Sequence, residues 1–222
     1  MLLSKRQAAA ELARRSLCDF ARVCQPAIRL TPFHRTYYNT LDRFAHGQIR
    51  RLIVSVPPQH GKSLGSSVLL PAYLLGIAPQ TRIALASYNL RLASRFNRRG
   101  QRLMSEPAYR DVFPATRLKT SSAKQPNVIR TSDEFELIGA PGGLLSVGRE
   151  GALTGNPVDV FILDDLYKDA AEANSPLIRD HAWEWYNAVV KTRLHNDSRE
   201  LIVFTRWHED DLIGRIAAHE PV

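Results

Sequence analysis

Three stretches of this 222-residue chain carry side chains suited to phosphate chemistry. The first is an apolar β-type run, Arg51-Leu52-Ile53-Val54-Ser55-Val56, that breaks at Pro57 and Pro58 and ends in Gln59-His60-Gly61-Lys62-Ser63. A strand, a turn and Gly-Lys-Ser opening a helix form a phosphate-binding loop. In it Pro58 to Ser63 wrap the β- and γ-phosphates with backbone N–H groups, Lys62 neutralises them, and the Ser63 hydroxyl holds Mg²⁺. The full pattern wants glycine where Val56 stands, so the match is partial. The second stretch, Val158-Asp159-Val160-Phe161-Ile162-Leu163-Asp164-Asp165, is an apolar strand ending in two acids. Opposite a phosphate loop, Asp164 holds Mg²⁺ through water and Asp165 orients and deprotonates the attacking water. The third is the apolar run Glu200 to Thr205, whose terminal Thr205 is placed to touch the γ-phosphate and sense its loss. His208, Glu209, Asp210 and Asp211 look like a metal cluster, but consecutive side chains diverge, and a helix N-cap with an acidic first turn explains Asp210 and Asp211.

These residues need strands to aim them and helices to bury the strands. Arg82 to Ser87, bounded by Pro79 and Asn89, reads as a buried parallel strand. Ser63 to Leu75 reads as a helix kinked at Pro71. Residues 4 to 23 carry a helical pattern ending before Pro26, and Tyr37, Leu41 and Phe44 mark a second short helix that stops at Gly47. Just ahead of it, Phe33, His34 and Arg35 suit an adenine base: His34 or Arg35 on its edge, Phe33 or Tyr37 on its ring. A capped helix start with a satisfied histidine accounts for them equally well. Leu90 to Met104 is a basic helix, with Arg91, Arg95, Arg98 and Arg102 on one face and Arg99 beside them. Val128–Thr131 and Phe135–Gly139 suggest a hairpin, and the glycine-dense run Gly142 to Gly155 implies sharp turns or close approach to a ligand. Ser175 to Leu194 reads as a helix whose aromatics, Trp183, Trp185 and Tyr186, serve the core. Together these predict an α/β fold in three layers with a mostly parallel central sheet and flanking helices, organised as an N-terminal helical segment, 1–47, and a core, 48–222.

Composition sets the class of partner. Net charge is +8, with 44% apolar and 23% charged residues, as in an ordinary globular protein. Arginine supplies most of the positive charge, and its planar fork grips two phosphate oxygens at once, so a polyanion is the expected partner. Without an apolar run of about 20 residues or a secretion-type leader, a cytosolic location is expected. Cys18 and Cys24 have no partners at zinc spacing and read as buried thiols.

Pro57 to Ser63, then Gly151 to Asp165, then Thr205-Arg206-Trp207-His208-Glu209-Asp210-Asp211-Leu212, in that order over nearly the whole chain, resemble the ATPase half of a tailed-phage large terminase. That family contains DNA-packaging motors of the additional-strand P-loop class, in which a ring of subunits on the capsid portal couples ATP hydrolysis to translocation of double-stranded DNA. The resemblance implies ATP and Mg²⁺ as ligands, with Lys62 and Ser63 on phosphates and metal and Asp164 on the metal side. It makes Asp165 the catalytic acid, puts Thr205 in the coupling motif, and assigns Phe33, His34 and Arg35 to adenine. It also implies double-stranded DNA, a portal protein and a small terminase subunit as partners, a homo-oligomeric ring on the portal, and the host cytoplasm as location. Three departures qualify it. The loop has Gln59 and no arginine, so a γ-phosphate arginine must come from elsewhere, Arg149 first and Arg206 second, from a neighbouring subunit. Asp165 stands where many members have glutamate. Large terminases continue into a nuclease domain, and this chain stops at Val222, so no nuclease activity is expected of it. A helicase-like P-loop DNA ATPase and a non-catalytic DNA-binding remnant are the alternatives.

Overall fold

The computed structural model describes residues 4–120, 127–153 and 157–220. Three helices lead in: α1 (Lys5–Arg15), α2 (Leu17–Cys24) and α3 (Pro32–Ala45). Then come β1 (Arg51–Ser55), α4 (Lys62–Leu64), a π-helical turn Gly65–Leu69, α5 (Leu70–Ile77) and β2 (Arg82–Ser87), followed by α6 (Leu90–Ser105) and α7 (Pro107–Val112). The rest contributes β3 (Glu134–Glu136), β4 (Gly143–Gly148), β5 (Val158–Asp164), α8 (Ala170–Asn174) and α9 (Pro176–Trp185). A π turn Tyr186–Val190 and a 3-10 turn Lys191–Arg193 lead from there to β6 (Leu194–Phe204) and α10 (Leu212–His219).

The six strands form one sheet in the order β1-β6-β5-β2-β4-β3. Every neighbouring pair is parallel except β3 with β4. β6 is thus the additional strand, inserted between the strand that ends in the phosphate loop and the strand that ends in the acids. Side chains alternate across a strand, and the two faces separate cleanly. Ile83, Leu85, Val160, Ile162, Leu201 and Val203 join one core with α1, α2, α3, α5, α6 and α7. Ala84, Ala86, Phe161, Leu163, Ile202 and Phe204 join a second core with α8, α9 and α10. Helices therefore cover both faces, and the expected three-layered, mostly parallel P-loop fold is what the chain adopts. The N-terminal helices are part of this packing: Phe20 lies 5.4 to 6.0 Å, centroid to centroid, from Tyr73, Tyr109 and Phe113.

Local expectations fail where a side chain or the backbone ladder overrides periodicity. Residues 4 to 23 are two helices because Ser16 is extended (φ −146°, ψ 124°) and its hydroxyl caps α2 by accepting from the Asp19 N–H; the Leu17 N–H goes to Asp42 Oδ1. Pro71 does not break the helical run, which continues from Lys62 to Ile77. Its missing N–H is absorbed by the π turn, in which the Leu70 N–H reaches back to the Gly65 carbonyl, and Pro71 sits in the first turn of α5, where an N–H is dispensable. The Ser175 to Leu194 run ends as an α-helix at Trp185; of its aromatics, Trp185 and Tyr186 are buried and Trp183 is half-buried.

The predicted hairpin forms, but it is short: the Thr131 N–H donates to the Glu134 carbonyl and the Glu136 N–H to the Ile129 carbonyl about the Arg130–Phe135 bridge, while the other edge of β3 pairs with β4. The glycine-dense run is mainly that buried strand. Its glycines answer neighbouring backbone: a Cβ on Gly142 would fall 2.2 Å from the Pro79 carbonyl oxygen, and one on Gly143 would fall 2.2 Å from that of Phe135. Thr154 and Gly155 lie outside the described residues. β6 begins at Leu194, six residues before the apolar run, because the Ser198 hydroxyl and His195 ring tie its polar half to β5.

Asp159, at the start of β5, is the electrostatic clasp of the lower sheet. It accepts from the Arg82 N–H (2.7 Å), Arg82 Nε (2.9 Å) and Arg82 Nη2 (2.7 Å), and it lies 3.0 Å from His195 Nε2. Burial pushes its pKa up, but the Arg82 hydrogen bonds outweigh that and hold it at about 2. A folded-state pKa below the unfolded one stabilises fully above the unfolded value, and the contribution is lost as pH falls through the folded value. Asp159→Asn should therefore lower stability by about 1–2 kcal/mol at neutral pH. Chemical-denaturation midpoints of the two proteins should converge as pH drops from about 4 towards 2.

Candidate nucleotide site

The parallel sheet brings the carboxyl ends of β1, β6 and β5 to one edge, where α/β folds place their ligands. From β1 the loop Val56 to Gly61 turns back into α4. Gln59 (φ 66°) and Gly61 (φ 73°) are both left-handed, which lets the chain reverse within a few residues. His60 Nδ1 donates to the Pro58 carbonyl at 2.8 Å, stiffening the turn.

Lys62 follows, 7% exposed. Its Nζ lies 2.8 Å from both carboxylate oxygens of Asp165. The Ser63 hydroxyl donates to Asp164 Oδ1 at 3.2 Å and the Ser67 hydroxyl to Asp164 Oδ2 at 2.5 Å. Lys62, Ser63, Asp164 and Asp165 are thus brought together as the spacing requires. Asp165 sits past the end of β5 in the left-handed region (φ 51°). Its N–H donates to the Val203 carbonyl and its carbonyl accepts from the Tyr88 N–H, so neighbours on both sides fix this turn.

Asp164 is wholly buried. Burial first, and then the adjacent Asp165 charge, raise its pKa to about 7, against the opposing pull of the Ser67 and Ser63 hydroxyls and the Lys62 charge. A buried carboxylate with this little compensation would suit a bound cation. Ser87 adds to that: it is fully buried, its hydroxyl has no partner, and it follows Ala86, the residue paired with Leu163, which places it beside Asp164 on the next strand. No group of three or more His, Cys, Asp or Glu residues able to hold a metal occurs among the described residues. A magnesium ion completed by ligand phosphates would need only one or two carboxylates from the protein. Ser63 and Asp164 fit such an ion.

The other singled-out residues divide. The Thr205 hydroxyl donates to the Val56 carbonyl at 3.3 Å, so the tip of β6 touches the root of the loop. Phe33 and His34 lie on the first turn of α3 against the loop. The Phe33 ring is 6.0 Å from that of His60 and stacks on Tyr37, also at 6.0 Å, and a Cβ on Gly61 would fall 3.3 Å from His34 Nε2. His34 Nδ1 is 2.7 Å from the Thr31 hydroxyl in a capping box, and Arg35 is exposed. Arg149 is not directed outwards. It is 13% exposed, with Nη1 on the Leu166 carbonyl (3.2 Å) and on Glu172 Oε2 (3.0 Å). Arg206 is folded onto its own turn, through Asp211 and the carbonyls of His208 and Glu209. Asp211 is the N-cap of α10, accepting from the Gly214 N–H, as expected.

Sequence reasoning missed two contributors, Ser66 and Ser67, and gave Tyr37 a different role. Ser67 is a direct partner of Asp164, Ser66 caps the Lys62 carbonyl at 2.9 Å, and the Tyr37 hydroxyl donates to that same carbonyl at 3.0 Å. Ser67 stands four residues after Ser63, one helical turn, and that spacing is the signal that could have found it.

No protein-family model matches the chain, and no curated protein matches it. Among solved structures, a chain of S. cerevisiae Dbp5 bound to Gle1 and IP6 superposes with a TM-score of 0.44 at 16% identity. The match covers 78% of this chain and 40% of that one, and a likeness at this level carries no functional meaning.

Ser67 is the residue by which to test for a bound cation. Ser67→Ala should weaken the Mg²⁺ dependence of nucleotide binding by roughly ten-fold, as loss of a partner that orients a metal ligand does. Titration of Mg²⁺ against a fluorescent nucleotide reads this directly, and an unchanged midpoint would remove Ser67 from the site.

Proposed function

We propose that this chain is an ATP-hydrolysing motor domain of the kind found in tailed-phage large terminases, coupling hydrolysis to movement of double-stranded DNA. The observation that supports hydrolysis best is the Lys62 to Asp165 contact at 2.8 Å beside a buried Asp164 held by Ser63 and Ser67. The terminase reading is supported by the order of the three motifs along the chain. Its partners would be DNA, a portal protein, a small terminase subunit and further copies of the chain in a ring.

The roles follow from position. Before nucleotide arrives, Lys62 and Asp165 neutralise each other. Phosphates in the loop compete for Lys62, and its departure leaves Asp165 a carboxylate able to accept a proton from water attacking in line with the γ-phosphate. Ser63 and Asp164 would hold Mg²⁺, which supplies charge neutralisation at the β- and γ-phosphates. Thr205, joined to Val56, would carry loss of the γ-phosphate into β6. Phe33, His34 and Arg35 would line the adenine. Arg149 would reach a neighbouring subunit's ATP after leaving Glu172.

Lys62→Ala and Asp165→Ala should each abolish steady-state ATP turnover while circular dichroism shows an intact fold; wild-type turnover in both would sink the assignment. Arg149→Ala should lose activity by roughly three to five orders of magnitude if it acts as an arginine finger. Mixing it with Lys62→Ala should restore part of the rate, since each defective protein supplies what the other lacks. Absence of rescue would count against action between subunits.

A further inference from the structure

Three adjoining cavities lie beside α6, near the β3 edge of the sheet and away from β1. One, of about 460 Å³, is lined by Ser105, Arg110, Arg117 and Arg130 among others. A second, of about 530 Å³, takes in Arg98, Gln101, Lys119 and Arg130, and a third, of about 280 Å³, takes in Arg98, Arg102, Glu106 and Arg130. Because all three share Arg130, and the second and third also share Arg98, they adjoin as one groove with six cationic side chains. Its charge is uncompensated. Some exposed arginines elsewhere meet carboxylates, as Arg6 does Asp111, Arg15 does Glu11 and Arg22 does Asp19, whereas single ones such as Arg29, Arg35 and Arg43 have no salt bridge among the described residues. None of the six groove cations forms a salt bridge among the described residues. The nearby acids are Glu106 at the rim and Asp133, which Ser94 and Ser132 hydrogen bonds hold below the usual carboxylate range with a smaller effect from Arg98.

The groove is also built. Arg130 Nε donates to Gln101 Oε1 at 3.0 Å, and its other nitrogens reach the Lys119 carbonyl and the Ser105 hydroxyl. Gln101, 7% exposed, donates in turn to Asn97 Oδ1 (2.8 Å) and the Thr131 carbonyl (2.7 Å), and Asn97 donates to the Ser146 hydroxyl on β4 (3.0 Å). A buried amide ladder therefore anchors Arg130 to the sheet, whereas Arg98 and Arg102, one turn apart, have no hydrogen-bonded partner among the described residues and are exposed.

We propose that this groove binds the phosphate backbone of a nucleic acid. Five of its six cations are guanidinium groups, whose fork matches phosphate oxygens. The arginine face of α6, from Arg91 to Arg102, rises about 16 Å at 1.5 Å per residue. One DNA strand presents a charge about every 3.4 Å of axis, so that face spans four or five phosphates. The identity of the polymer rests on the DNA-motor reading above. The groove lies at the opposite edge of the sheet from β1, so DNA held there leaves the phosphate loop open.

The test is anisotropy of the whole chain with a labelled duplex and a labelled single strand of equal length, without nucleotide, between about 50 and 200 mM salt. Arg98→Gln with Arg102→Gln should weaken binding to all sequences alike and reduce the slope of log affinity against log salt by about one per arginine. Arg22→Gln with Arg43→Gln removes the same charge from α2 and α3 and should leave the slope unchanged; an equal loss there would show net charge alone at work and overturn the proposal. Poly-glutamate binding that depends on Arg98 and Arg102 while duplex binding does not would also overturn it, in favour of an acidic polypeptide. Lys62→Ala should bind as wild type, which separates failure of the groove from failure of the ATPase assignment. Tighter single-strand binding with the same arginine dependence would support the groove while counting against the packaging role.

Discussion

The structure turns on two adjacent acids at the end of one strand, of which only one reaches a counter-charge. Asp165 has Lys62; Asp164, fully buried on the other side of the backbone, has only two serine hydroxyls and the more distant lysine. Placing a carboxylate there is unfavourable in the absence of a cation, and the sheet is arranged to keep it there. β5 is central, both its neighbours are parallel, and the strand's carboxyl end opens onto the loop. The left-handed turn at Asp165 then points successive carboxylates at different partners, one at the lysine and one at the serines. Asp tolerates that conformation better than most residues, which gives a physical reason for aspartate at this position.

The same site explains the helical irregularity that follows it. Gly65 lies where a Cβ would fall 2.7 Å from the Tyr38 ring and 2.8 Å from the Tyr37 ring. Its absence lets α3 pack directly on the helix that leaves the phosphate loop. The contact brings the Tyr37 hydroxyl to the Lys62 carbonyl and carries Phe33 and His34 to the loop. The π turn between Gly65 and Leu69 accommodates Pro71 downstream while Ser63 and Ser67 both stay turned to Asp164. Helix α3, the loop after β1 and the acid strand thus form a single packed unit.

Charge is distributed with comparable economy. Acids and arginines meet at the clasp between β2 and β5 and around Asp210, which Arg179 and Arg215 both hold. Among the described residues, the arginines of α6 have no such partners. The buried Ser146, Asn97 and Gln101 ladder links their groove to β4, whose following residue, Arg149, contacts the loop after the acids through the Leu166 carbonyl. β4 therefore joins the two regions through its backbone.

Much of this could be read from residue order. An apolar run ending in Gly-Lys-Ser, another ending in Asp-Asp and a third ending in threonine point to three parallel strands with polar tips, because strands covered on both faces read as near-continuous apolar runs; of these β5 and β6 are interior, while β1 lies half-buried at the sheet edge. The basic face of α6 and the cap at Asp211 are likewise local, set by helical spacing and by one side chain's reach. Tertiary structure alone decided what depends on groups distant in the chain. β6 lies between β1 and β5, which brings Thr205 to Val56. Gly142 and Gly143 serve neighbouring backbone, and Ser16 divides a helix whose periodicity runs through it. Arg149 is held by Glu172. Periodicity reports which face of an element is apolar; it does not report which neighbour that face meets, and the partner of a buried charge is set by that meeting.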